Sequence, residues 1–154
     1  MPAVVIDPSI EACQALVARI NATEAVPYYR DVDAQYSEQL IDALEEIDGL
    51  RIDVATEDSW NLDESLAVEG RTSHAIRVWI RARVDQSNTE DVDAMKLLTR
   101  QVFQRLNNYD TSDNRVRVWE CDFEPLENPS KQQLRTAGLF VSQIVLRVEV
   151  EPPA

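Results

Sequence analysis

Helix and strand periods alternate along this chain, and the mixture predicts an α+β fold: a mainly antiparallel sheet with helices packed on one side and a long loop between its second and third strands. Two amphipathic helix patterns, Ile10 to Ile20 and Val92 to Leu106, are the first observation behind that expectation. The second is a set of long alternating segments, above all Ser73 to Val84 and Leu139 to Val150. The third is length: 154 residues suit a single domain, 1–154, with a core that needs neither disulfide nor metal.

Asp7-Pro8 opens the first helix, Asp7 as N-cap and Pro8 at the first position, where a missing N–H is harmless. Ile10, Cys13, Leu16, Val17 and Ile20 then recur at helical spacing, and Asn21 to Pro27 closes the element. Val26 to Tyr36 holds a short strand in its middle. Ser37 caps a short acidic helix with Leu40, Ile41, Leu44 and Ile47 on one face, and Gly49 after Asp48 ends it. Leu50 to Ala55 alternates as a half-buried strand.

Thr56 to Thr72 is acidic and lacks a strand period, yet carries Trp60, Leu62, Leu66 and Val68. Connections of that length are usually functional or disordered. In the strand after it, His74, Ile76, Val78, Ile80, Ala82 and Val84 face the core, while Ala75, Arg77, Trp79, Arg81 and Arg83 make a basic outer face. Ser87 to Glu90 has the form of a capping box with Ser87 as N-cap, and Asp91 and Asp93 favour the positive end of the helix behind it. That helix stripes Val92, Met95, Leu98, Val102, Phe103 and Leu106 and stops at Asn107-Asn108. Val116 to Phe123 changes parity after Val118, which predicts a bulge and groups Trp119 with Cys121 and Phe123. A Pro-containing connection to Thr136 precedes the last strand, and a stiff tail ends the chain.

Charge is the informative part of the composition. The net charge is −13, and only two lysines occur, Lys96 and Lys131. From Asp31 to Glu69 there are 13 carboxylates and one base, whereas Arg71 to Arg147 is nearly balanced, with 12 bases and 10 acids. A duplex grip through phosphate neutralisation needs the opposite. No run approaches the roughly 20 apolar residues of a membrane span, and the N-terminal residues lack the pattern of a signal peptide. A protein without a membrane partner, assembled in a cytoplasm, is expected.

Patterns for catalysis are weak. Carboxylate pairs abound, but in so acidic a chain they arise by chance and read first as a solvated face. His74 has no accompanying Ser or Cys motif and reads as a structural histidine. Three glycines cannot build a phosphate-cradling loop. Cys13 and Cys121 form no CxxC pair and read as reduced, small hydrophobes. No enzyme activity, cofactor or metal is expected.

Four segments carry a resemblance: "IEACQALVARINA" with the aromatic strand after it, "LEEIDGLRIDVA", "IRVWIRARVDQSNTEDVDAMKLLTRQVFQRL" and "LFVSQIVLRVEV". In order and spacing, over most of the chain, they resemble the tail-terminator or tail-completion (neck) proteins of tailed bacteriophages. The resemblance implies a virion protein, assembled in the host bacterial cytoplasm, that forms a homo-oligomeric, hexameric ring. Such a ring caps the tail tube protein and joins it to the head-connector or stopper protein, with genome DNA passing through its channel.

Within such a ring, the acid surplus and the apolar side chains of the long loop give individual residues expected places. Several of Asp31, Asp33, Glu38, Asp42, Glu45 and Glu46 are expected to line or approach the channel, where a negative wall lets DNA slide. Trp60, Leu62 and Leu66 anchor a contact arm to a neighbouring subunit or partner; the alternative is that the loop buries them on its own domain. A head-to-tail adaptor or stopper, or a small acidic cytosolic enzyme or interaction module, are the competing functions.

Overall fold

The structure, a computed structural model, describes residues 6–24, 27–37, 49–56, 71–85, 87–123 and 138–151. Helix α1 (Pro8–Asn21) starts as expected: Asp7 Oδ1 accepts the Ser9 amide at 2.9 Å and the Ser9 hydroxyl at 2.6 Å. Its last residue also positions the first strand. The Asn21 side chain accepts from the Ala34 amide at 2.8 Å and donates to the Ala34 carbonyl at 3.0 Å, which pins the start of β1 (Ala34–Tyr36) to the helix end. The strand expected within 26–36 is therefore three residues at its far end.

Then come β2 (Leu50–Thr56), β3 (Thr72–Arg83), α2 (Thr89–Leu106), β4 (Val116–Phe123) and β5 (Leu139–Val150). They form a five-stranded mixed sheet in the order β1-β2-β3-β5-β4. Only the β1–β2 pair is parallel; the other three pairs are antiparallel, so the α+β class with a mainly antiparallel sheet holds. The centre is the β3–β5 pair, in register along all of β3 from Thr72↔Val150 to Arg83↔Leu139.

Both helices cover one face. Ala12, Cys13, Leu16 and Ile20 of α1 and Met95, Leu98, Val102 and Leu106 of α2 share one cluster with Ile52, Val54, Ile76, Val78, Ile80, Phe140, Ile144, Leu146 and Val148. The inward parity expected for β3 is thus the observed one. The two helix C-termini are clamped together. Arg105 Nη1 donates to the Ala22 carbonyl at 2.9 Å and its guanidinium lies 3.7 Å from the Tyr28 ring centre, while Arg19 Nε donates to the Arg105 carbonyl at 2.9 Å. These bonds satisfy carbonyls that a helix end leaves open.

Several local expectations are corrected. The N-cap of α2 is Asn88, whose side chain accepts from the Glu90 amide at 3.1 Å; Ser87 instead bonds Asp85 in the preceding turn. The Asn88 carboxamide stands one residue nearer the helix and takes the role. With Thr89 as the first helical residue, Asp93 lies beyond the first turn, which holds Glu90 and Asp91. β2 is not half-buried: Ile52, Asp53, Val54 and Ala55 are all buried, because it is an inner strand covered on both faces. The β4 bulge sits between Val118 and Glu120 as expected, but Trp119 is its extra residue, unpaired with β5 and exposed, while Cys121 and Phe123 pack on the core. The short acidic helix after Ser37, the 57–70 connection, the connection before Gly138 and the tail after Glu151 lie outside the described residues.

Candidate functional site

The face of the sheet that the helices leave is where the sequence placed a basic outer surface, and the register defines its rows. One row runs Gln35, Asp53, Trp79, Gln143 across β1, β2, β3 and β5; the next runs Arg51, Arg81, Val141. The rows toward the other end are Ala55, Arg77, Val145, Asp122 and then Ala75, Arg147, Glu120.

Half of this face is buried. Asp53 is 0% exposed and Arg81 5%, and Leu139, Val141 and Trp79 pack together beside them. The expectation of a solvated arginine face fails there for a clear reason: a carboxylate inside the strand neutralises the guanidinium that burial would otherwise penalise. Asp53 Oδ2 accepts from Arg51 Nε at 2.8 Å and from Arg81 Nη2 at 2.9 Å, and Oδ1 accepts from Gln35 Nε2 at 3.0 Å. Beside this network Arg77 Nη1 donates to Gln143 Oε1 at 2.5 Å. With both oxygens of Asp53 occupied, the arrangement ties β1, β2 and β3 together. Alternation alone did not mark Asp53; the signal available was a lone acid within a short alternating strand.

Toward β4 the face opens, with Glu120 and Asp122 exposed. Ala75, Glu120, Asp122, Val145, Leu146 and Arg147 line a surface depression of about 130 Å³ in which charged side chains flank Ala75 and Val145, and the exposed Trp119 precedes Glu120 in the strand.

Of the expected channel residues, Asp31 and Asp33 are exposed just ahead of β1, at one edge of the sheet. Glu38, Asp42, Glu45 and Glu46 lie outside the described residues, as do Trp60, Leu62 and Leu66.

The titratable groups inside the fold have structural duties. His74 is 8% exposed, its Nε2 lies 2.8 Å from Thr72 Oγ1, and burial lowers its pKa below 6.5 against a smaller upward pull from Asp7. Asp7 itself is held below the usual carboxylate range by its bonds to Ser9. Burial, with the Asp122 carboxylate adding to it, pushes the Cys121 thiol up to about 12, which leaves little thiolate at neutral pH. Among the described residues no three His, Cys, Asp or Glu side chains converge as a metal-ligand set, and no helix is long and apolar enough to cross a membrane.

No protein-family model matches the chain, and no curated protein matches it.

Proposed function

We propose that this chain is a structural neck protein of a tailed bacteriophage. It is one subunit of a six-fold ring that terminates the tail tube and joins it to the head connector, while the genome passes through the channel. The observation that carries this reading is the order of the elements. An opening helix, the strand after Gly49, the long strand with its capped amphipathic helix, and the closing strand succeed one another as the four resembling segments require. The role is non-enzymatic. Its partners are further copies of itself, the tail tube protein and the connector or stopper protein; DNA slides past without being held, and the protein resides in the virion.

Charge supports the same reading. Asp31 and Asp33 are exposed and belong to the third of the chain that carries nearly all the excess acid. A wall of that sign repels phosphates. Native mass spectrometry and electron microscopy of the protein, alone and in assembled particles, test the proposal. The expected result is an annulus with six times the 17.5 kDa of one chain. A single copy in the assembled particle overturns it.

A further inference from the structure

Two surfaces of this chain match each other and cannot meet within one copy. The first is on α2. Leu97 is 50% exposed, turned away from the buried stripe of Met95, Leu98, Val102 and Leu106, and exposed Lys96 and Arg100 accompany it. The second is on β4. Trp119 is also 50% exposed, and exposed Glu120 and Asp122 after it line the depression together with Ala75, Val145, Leu146 and Arg147. α2 lies on the helix layer and presents Leu97 outward. The depression lies on the opposite face, away from α1 and α2.

We propose that a second copy of this chain occupies the depression, so that Lys96, Leu97 and Arg100 of one copy dock on Trp119, Glu120 and Asp122 of the next. The inference rests on the ring reading above and names the contact that closes the ring. Shape admits it: the depression, about 130 Å³, is open at the surface, with Ala75 and Val145 between its charged side chains. Charge fits as well, because two cations accompany the leucine and two carboxylates accompany the tryptophan. Arg117, the exposed cation of β4, is already paired with Asp110 at 3.4 Å. Arg147 on the rim stands opposite Glu120 in register and leaves the rim one carboxylate in excess.

Strand addition is the other way to use a sheet edge, and β4 resists it. Its bulge breaks the ladder at Trp119 and its carboxylates line the edge, both of which discourage pairing with another strand. Side-chain docking of a helix needs no regular edge. Surfaces on opposite layers give a head-to-tail, heterologous contact, the kind that closes a ring. An exposed Trp next to charged side chains has the composition of an interface hot spot.

The test uses the full chain in native mass spectrometry, with thermal midpoints recorded for every variant. The pairs K96E/R100E and E120K/D122K each weaken assembly at least tenfold and keep the wild-type midpoint, since all four side chains are exposed. Leu97→Ser does the same without altering charge. Mixed in equal amounts, the two charge-reversed chains reassemble with copies alternating, so only even-numbered rings appear. If the wild type forms rings and either charge-reversed chain forms them equally well, or the mixture fails to assemble, this contact is wrong while the ring reading stands. If the wild type is a single copy even in assembled particles, the ring reading falls and the contact with it.

Discussion

His74 couples the start of β3 to pH. Its neutral form is favoured in the fold because the ring is buried, so the unfolded chain binds a proton more readily than the folded one below 6.5. Stability therefore falls as pH drops through that value, and it falls before the carboxylates titrate. Chemical denaturation at a series of pH values between 7 and 5 shows this slope, and His74→Gln flattens it; an unchanged slope in the variant assigns the effect elsewhere. Asp53 matters in another way. Its carboxylate is the shared acceptor for Arg51, Arg81 and Gln35, and it is fully buried. Removing one side of a buried ion pair typically costs about 3–5 kcal/mol. Asp53→Ala lowers unfolding free energy by about that amount in urea titrations, whereas an exposed acid such as Asp31 changed to Ala shifts it by less than about 0.5 kcal/mol.

At the scale of elements, two glycines separate backbone conformation from close approach. Gly49 has φ +81° and a side-chain carbon there meets nothing within 4 Å, whereas Gly138 has φ +60° and a carbon there lies 3.3 Å from the Val84 carbonyl oxygen. Both incur the left-handed penalty of about 1–2 kcal/mol when changed to Ala. Only Gly138→Ala adds the clash, at the point where the Gly138 carbonyl accepts the Val84 amide at 3.0 Å. Thermal unfolding ranks Gly138→Ala as the more damaging; equal losses show that the approach relaxes freely.

These elements also mark how far the sequence could be read. The α1 cap, the inward face of β3, the span of β5 and the bulge in β4 all arise from local periods, capping chemistry and parity, which one strand or helix carries by itself. Which strands are neighbours depends on the whole sheet. The parallel β1–β2 pair, the burial of β2 on both faces and the Asp53–Arg81 ion pair were therefore not legible. Trp119 was misplaced because a parity change locates a bulge without saying which residue loops out. The α2–β4 pair of surfaces needed exposure and layer position, neither of which a hydrophobic period reveals.

For the whole molecule, the decisive quantity is where the charge lies. Thirteen carboxylates against one base between Asp31 and Glu69 leave the rest of the chain close to neutral. If that third faces the passing genome, reversing its sign turns a sliding surface into a binding one. Replacing Asp31, Asp33, Glu38 and Asp42 together by Lys is expected to create DNA binding that weakens by orders of magnitude between low and physiological salt. Filter binding across a salt series measures it. Absence of salt-sensitive binding in the assembled variant reduces the acidic third to a role in solubility.

The strand order also governs how the molecule is made. β5, formed by residues 139–150, stands between β3 and β4, so β4 has no partner strand until β5 has been translated. On the ribosome, α1 to β3 emerge with the long edge of β3 open, and that edge is a template for pairing with other chains. A nascent chain stalled before residue 139 is thus the aggregation-prone species of this protein. Polysome crowding, in which such chains sit side by side, is the condition under which its yield is most at risk.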